Sequence, residues 1–368
     1  EKAKNPAAHD CVGWNLLAQR KYHDAADSFK AALKVDPTFY YSSSGLSTAQ
    51  RGQLVNYNEA WSLIRVGSFD RAEERLKKAE SNVDEDLKFL MDDARAWIKF
   101  YKKDYNGAKA GFEKIIKAND KAYGSYKGLA YISMEKKDFA KAAEHLTKSL
   151  NLNPYQPVSD YIFPVNKMQK SGQWEKSKYI LELGQRIYPY SADIQFLLAK
   201  AYKNLKDVTT AEKKLVIAAG LAPAYIEPVM DKLGLSPKNI KGAYYSVGWS
   251  MYYIGKFDKA SKRFKQYFDN GGNYYVAYNG LGLTKLYQKK YAESEKYFQK
   301  ALEVRKSAKG LEKLEYLDAE AYSGLGWAKY NQKKYGESKK YFDTALKKWP
   351  YYIKATSGLN TLQYRKRD

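Results

Sequence analysis

An internal repeat constrains the fold of this chain more than any other feature of its 368 residues. The segments 277–302 and 321–346 are identical at 17 of 26 aligned positions. In each segment apolar residues recur at spacings of three and four, as in amphipathic helices, and a short polar turn separates two such stretches. A single unit of this kind cannot bury its apolar face, so the repeat predicts a stack of helix pairs.

The same pattern of small and aromatic residues extends along most of the chain. The last unit carries Tyr322, Leu325, Gly326, Tyr335, Phe342, Ala345 and Pro350, and the first carries Gly13, Tyr22, Ala25, Phe29, Ala32 and Pro37. This pattern closely resembles that of the tetratricopeptide repeat family, whose unit is 34 residues long. The resemblance implies about nine repeats and an all-α fold, a right-handed superhelical solenoid of antiparallel helix pairs.

Breaks in the 34-residue step divide the chain into regions. We expect repeats 1–6 within residues 1–225 and repeats 7–9 within residues 241–352. Residues 226–240, which carry two prolines and a glycine, form a break between the two blocks, and residues 353–368 form a closing helix with a basic tail. The predicted repeats start near residues 6, 53, 89, 123, 158, 192, 241, 275 and 319.

Two local irregularities lie within the repeats. Residues 40–52 are predicted either to lengthen the next helix or to form an extra one. Pro164 is predicted to kink or shorten the first helix of the fifth repeat, because proline removes a helical hydrogen bond. Cys11, the single cysteine, is predicted to be a small packed residue and not a reactive thiol.

Five of the seven tryptophans fall at position 9 of the repeat, when the small residue of the first helix is numbered 8. Positions 2, 5, 9 and 12–13 share the helical spacing of three and four but lie on a different face from the packing positions 4, 7, 8 and 11. In the family that this chain resembles, the second face lines the concave surface where ligands bind. The tryptophans therefore predict a stripe of ligand-facing aromatic residues.

The predicted groove has aromatic ends and a basic middle. Its residues are Trp14, Tyr57, Trp61, Arg65, Trp97, Phe100, Tyr101, Lys127, Tyr131, Lys170, Lys200, Lys203, Tyr245, Trp249, Tyr252, Tyr253, Tyr287, Trp327 and Tyr330. Packing between neighbouring repeats produces the same helical spacing, so an alternative interpretation is that several of these tryptophans are packed inside the stack.

A formal net charge of +23 favours acidic partners, because a positive field speeds their association. Much of this charge lies in lysine-rich turns and is expected to be solvated. Nucleic acid ranks last among the partners, since no recognised nucleic-acid motif is present. No apolar run is long enough for a membrane span.

These patterns favour a non-enzymatic scaffold that binds a protein or peptide of acidic and apolar character through the groove. The alternative is a glycan-binding solenoid that engages an anionic polysaccharide in bacterial envelope assembly or export. We expect no enzyme activity, cofactor or metal site, because no catalytic or ligand motif stands at a diagnostic spacing. A bacterial periplasmic or envelope-associated location is favoured, with the cytoplasm as the alternative, and the oligomeric state stays open.

Overall fold

The computed structural model describes residues 5–308, 310 and 314–365, and in these residues every regular element is a helix. The chain forms two compact units, Glu1–Met168 and Gln169–Asp368. The boundary lies inside the first helix of the fifth repeat. We call these the first unit and the second unit and describe each by itself.

The first unit is built from helix pairs joined by short turns, with one additional helix after the first pair. Its helices are α1 (Pro6–Ala18), α2 (Tyr22–Val35), α3 (Tyr40–Gln53), α4 (Val55–Arg65), α5 (Phe69–Glu80), α6 (Phe89–Tyr101), α7 (Tyr105–Ala118), α8 (Tyr123–Glu135), α9 (Phe139–Leu152) and α10 (Ser159–Lys170), in which the unit ends.

The second unit continues the same succession and ends in a single helix. Its helices are α11 (Trp174–Ile187), α12 (Ala192–Asn204), α13 (Val208–Leu221), the short α14 (Pro223–Ile226), α15 (Lys241–Tyr253), α16 (Phe257–Asp269), α17 (Tyr275–Tyr287), α18 (Tyr291–Lys306), α19 (Ala319–Asn331), α20 (Tyr335–Lys348) and α21 (Ile353–Arg365).

These helices confirm the predicted all-α fold of repeated helix pairs. Each of the nine predicted repeats has a first helix that begins within two residues of its expected start. Residues 40–52 form a separate helix, α3, and do not lengthen α4. Pro164 does not shorten α10 appreciably, because the helix is 12 residues long and extends from Pro164 to Lys170. Cys11 is exposed, so the prediction of a packed cysteine was wrong.

The repeats pack by placing a buried phenylalanine of one second helix between two glycines. Phe298 of α18 is fully buried, and a Cβ added at Gly282 of α17 or at Gly324 of α19 would lie 2.9 or 2.2 Å from its ring. Only glycine permits this approach without displacing the ring. The same arrangement surrounds Phe29, between Gly13 and Gly45, and Phe342, between Gly326 and Gly358. Helices α3 and α21 thus cover the first and last pairs as the next repeat would.

Residues 226–240 lie within the second unit and pack into its core. Met230, Leu233 and Ile240 are buried in one apolar cluster with residues of α13 and α15. The buried Arg263 of α16 also holds this segment, because its guanidinium donates to Asp231 at 2.8 Å and to Glu227 at 3.2 Å. The division into a six-repeat and a three-repeat block at this segment stays a prediction. The basic end of the predicted tail, residues 366–368, lies outside the described residues.

Candidate functional site: an aromatic pocket and an aromatic cluster

The first unit contains a cavity of about 750 Å³ formed by the first helices α4, α6, α8 and α10 and by the chain before α8 and α10. It is lined by Tyr57, Asn58, Trp61, Ser62, Arg65, Phe89, Leu90, Asp93, Trp97, Tyr101, Lys121, Ala122, Tyr123, Gly124, Lys127, Tyr131, Pro157, Ser159 and Asp160. We call this cavity the aromatic pocket. Seven of the residues predicted for the groove line it.

The first helices bring these residues together because positions 5, 9 and 13 are four residues apart and share one helical face. Tyr57 and Trp61 of α4 meet edge to face, with ring centroids 6.4 Å apart. In the next repeat the ring of Tyr101 lies 5.9 Å from that of Trp97. Neighbouring repeats also join, because the centroids of Trp61 and Trp97 are 6.3 Å apart.

Trp97 is the most enclosed of the position-9 tryptophans in the pocket. Its side chain is only 3% exposed, and rings from α4, α6, α7 and α8 surround it, including Phe112 at 5.4 Å and Tyr131 at 5.7 Å. Phe100 is half-buried against Trp97 and Tyr131 and is absent from the lining. Trp97 therefore supports the other rings, whereas Trp61, Tyr101 and Tyr131 present more of their surface.

The two carboxylates of the pocket are already bonded within the chain. Asp160 accepts from Lys127 Nζ at 2.9 Å. Asp93 accepts from Ser125 Oγ at 2.6 Å. Burial raises the pKa of Asp93 to about 6, although hydrogen bonds from Ser125 and Trp97 and the charge of Lys127 oppose the shift.

The aromatic pocket contains two further cations besides Lys127. Arg65, at the end of α4, and Lys121, before α8, are both exposed, and neither has an ion-pair partner among the described residues. The positive charge of Arg65 reaches Tyr101, whose pKa is nevertheless raised by burial. The free charge at the mouth of the aromatic pocket is therefore positive.

The second unit gathers another set of the predicted residues, on α15 and α17. Tyr252 lies at the centre of this aromatic cluster, with its ring centroid 5.7 Å from Trp249, 5.4 Å from Tyr253 and 5.8 Å from Tyr287. Burial raises the pKa of the Tyr252 hydroxyl well above its ordinary value. Tyr245 lies one turn before Trp249, and its ring also contacts Tyr267 and Tyr274.

The remaining predicted aromatic residues lie near the two ends of the chain. Trp14 is 39% exposed and meets Phe29 edge to face. Trp327 is half-buried against Phe342, and its indole N–H donates to the carbonyl oxygen of Lys354 in α21 at 3.2 Å. Tyr330 is half-buried beside Trp327.

Four lysines were predicted for the basic middle: Lys127 lies in the first unit, and Lys170, Lys200 and Lys203 belong to the second. Burial lowers the pKa of Lys200, and the neighbouring charge of Lys170 lowers it further. Lys170 is exposed and Lys203 is half-buried.

Several pocket residues were missed by the sequence analysis. Asp93 occupies position 5, at which only aromatic residues and cations were predicted to face the groove. Lys121, Tyr123 and Asp160 lie at or before the start of the next first helix, and they reach the pocket because repeats stack side by side. A comparison of helix starts between neighbouring repeats could have identified them.

The described residues form neither a metal-binding group nor a membrane-spanning helix. Among those residues no group of three or more His, Cys, Asp or Glu side chains is arranged to hold a metal ion. The helices of that part are also too short or too polar to cross a bilayer.

The chain is similar to known repeat proteins. The family model described as "Tetratricopeptide repeat" matches residues 274–349. A search of the curated proteins gives no match.

Among solved structures, a tetratricopeptide repeat protein from Parabacteroides merdae is 14% identical, with 75% of this chain and 98% of that chain covered and a TM-score of 0.35. Yeast Tom70 is 13% identical over 99% of this chain and 82% of its own, with a TM-score of 0.32. YrrB, described as having an unusual peptide-binding site, is 14% identical over 60% of this chain and 100% of its own, with a TM-score of 0.33. These TM-scores are low, so we draw nothing about function from them.

Proposed function

We propose that the chain, whose residues 274–349 match the tetratricopeptide repeat family, is a non-enzymatic scaffold and that its aromatic pocket binds a peptide segment of a partner protein. The segment would carry an apolar or aromatic side chain next to acidic residues. A single observation carries this proposal: Arg65 and Lys121 have no ion-pair partner among the described residues, whereas the carboxylates of the pocket are bonded within the chain.

The aromatic walls account for the apolar part of the ligand. Trp61, Tyr101 and Tyr131 surround a volume large enough for one or two side chains, and burial of aromatic surface is a large source of binding free energy. Trp97 and Phe112 hold these rings from behind, so little side-chain entropy is lost when a ligand binds.

The charges account for the acidic part of the ligand. Asp160 and Asp93 are satisfied by Lys127 and Ser125, so an incoming cation would have to compete with these bonds. An incoming carboxylate would instead pair with Arg65 or Lys121 without breaking an existing ion pair among the described residues. The pocket therefore favours an acidic ligand over a basic one.

Fluorescence anisotropy with labelled peptides tests this function. The probes are one peptide with acidic residues around a tryptophan, and the same peptide with each acidic residue replaced by lysine. We expect the acidic peptide to bind and the basic peptide not to bind. Arg65→Gln and Lys121→Gln should each weaken binding by about threefold to tenfold, more at low than at high salt.

A matched control is Arg71→Gln, which changes an exposed arginine on α5 outside the pocket lining. Both cationic variants lie on the surface, so their folding is expected to be normal. Tighter binding of the basic peptide, or equal effects of Arg65→Gln and Arg71→Gln, would overturn the proposal.

A further inference from the structure

The aromatic cluster of the second unit ends in two rings that stand out from the surface. Tyr253, the last residue of α15, is 75% exposed, and Tyr287, the last residue of α17, is 59% exposed. They occupy the same place in successive repeats. Both rings lie next to Tyr252, so they belong to one surface, which we call the tyrosine platform.

Each exposed ring is held flat by a second ring behind it. The ring of Tyr253 stacks on Trp249 with centroids 5.6 Å apart and an interplanar angle of 26°. The ring of Tyr287 stacks on Phe257 with centroids 5.0 Å apart and an angle of 8°. Stacking on one face restrains each ring and leaves its other face to solvent. Such a face can receive a flat apolar surface at little cost in conformational entropy.

A cation follows each platform ring in the turn between the two helices of its repeat. Lys256 comes three residues after Tyr253, and Lys289 comes two residues after Tyr287. Both lysines are exposed, and the described residues offer neither of them an ion pair. The two turns lie side by side, because Gln288 Nε2 donates to Asp258 Oδ1 at 2.7 Å across the repeats.

Lys289 occupies a turn position that glycine also fits. Its φ is +61°, a left-handed conformation that glycine adopts more readily than any residue with a side chain. The equivalent turn of the preceding repeat uses glycine, Gly255, at φ of +75°. Lysine or arginine takes this conformation in other turns as well, at Arg20, Lys103, Lys137, Lys206 and Lys333. Glycine can therefore replace Lys289 and remove its charge without adding backbone strain.

We propose that the second unit binds an anionic oligosaccharide on the tyrosine platform. The apolar faces of its sugar rings would stack on Tyr253 and Tyr287, and Lys256 and Lys289 would pair with its carboxylates. This site is separate from the aromatic pocket and does not rest on the function proposed for that pocket.

The shape of the platform favours a saccharide over a peptide. Peptide side chains gain most of their binding energy by entering desolvated pockets, as the first unit offers. Tyr253 and Tyr287 instead project from the surface and expose the flat faces of their rings to solvent. A ligand with a repeating ring and a repeating charge matches a surface on which an exposed tyrosine recurs at the same position of two repeats and a lysine follows each tyrosine within three residues.

Isothermal titration calorimetry on the full chain tests the platform. The probes are an oligogalacturonate, its methyl-esterified form, which has the same sugar rings without the charge, and polyglutamate, which has the charge without the rings. We expect the oligogalacturonate to bind more tightly than either of the other two. The double variant Tyr253→Ala with Tyr287→Ala should weaken this binding about tenfold or more.

Three further variants separate the contributions. Lys289→Gly should weaken binding about threefold and reduce its salt dependence, without backbone strain. Tyr190→Ala is the matched control, since Tyr190 is an exposed tyrosine of the same unit, 83% exposed. Arg65→Gln in the aromatic pocket should leave oligogalacturonate binding unchanged, which separates this site from the pocket.

Three results would overturn the proposal: no oligogalacturonate binding, equal affinities of the double tyrosine variant and Tyr190→Ala, or equally tight binding of polyglutamate that survives removal of the tyrosines. If circular dichroism shows that the double variant is misfolded, Lys256→Gln combined with Lys289→Gly decides the matter, because both changes lie in exposed turns. Unchanged oligogalacturonate affinity in that variant would contradict the proposed pairing with lysine.

Discussion

The first unit encloses its aromatic residues around a cavity, whereas the second unit displays two of its aromatic residues on the surface. Both arrangements use a tryptophan at position 9 and a tyrosine four residues later: Trp97 with Tyr101, and Trp249 with Tyr253. Tyr101 is 47% exposed beside the pocket, and Tyr253 is 75% exposed on the platform. The same local pair thus serves two kinds of surface.

The difference arises from the neighbouring repeats. Next to Trp97 lie Trp61 of the preceding repeat and Tyr131 of the following one, so aromatic walls face each other. Next to Trp249 the following repeat has Leu283 at position 9, which is buried in the core beneath it. A pocket therefore needs large residues in register in three successive repeats, and a platform needs them at the ends of only two helices.

The largest effects should come from the phenylalanines buried between repeats, and they test whether the two units unfold separately. Phe112→Ala in the first unit and Phe298→Ala in the second should each lower the free energy of unfolding by about 3–5 kcal/mol, because each leaves a cavity at a fully buried site.

Hydrogen exchange followed by mass spectrometry checks this prediction. Exchange should increase mainly in the unit that carries the substitution, since stability in repeat proteins is a sum of local terms. Tyr351→Ala, at a residue that is 85% exposed, is the control. Equal increases in both units for both variants would show that the units unfold together. The two units could then not be treated as separate in stability.

A smaller, pH-dependent effect should be confined to the aromatic pocket. The pKa of Asp93 is about 6 in the folded chain and about 3.9 in an unfolded one, so between these values the folded state binds more protons. Stability should therefore fall as the pH rises from about 4 to about 6 and stay reduced above that range.

Asp93→Asn should remove this pH dependence and stabilise the first unit at pH 7 by up to about 2–3 kcal/mol, because the amide carries no charge and its Oδ1 can still accept from Ser125 Oγ. Chemical denaturation at pH 4.5 and pH 7.5 measures the free energy of unfolding of the variant and of the parent chain. Asp70→Asn, at a fully exposed side chain, is the control. An Asp93→Asn variant as pH-dependent as the parent would contradict the role of burial.

The smallest effect concerns the turns beside the tyrosine platform. Lys289→Gly should stabilise the second unit by about 0.5–1 kcal/mol, and the reverse change, Gly255→Lys, should destabilise it by a similar amount, because both turns have positive φ. Thermal unfolding of the two variants and of Lys296→Gly, within helix α18, checks the sign. Destabilisation by Lys289→Gly would show that the lysine side chain makes a stabilising contact in the folded chain and does not serve ligand binding alone.

The order of the helix pairs, their starts and the face that carries the position-9 residues could be predicted from the sequence alone. These features depend on local periodicity, since residues four apart share a face in any helix. The glycines at 282 and 326 likewise indicated the close approach of helices.

The exposure of each side chain and the pairing of its charge, in contrast, depend on the tertiary fold. Trp97 is buried by Phe112 and Tyr131, and Lys127 is paired with Asp160; all three of these partners lie in other helices. Arg65, on the same face of its own helix, remains unpaired among the described residues. Exposure and charge pairing depend on contacts between repeats, which the spacing of residues within one helix does not specify.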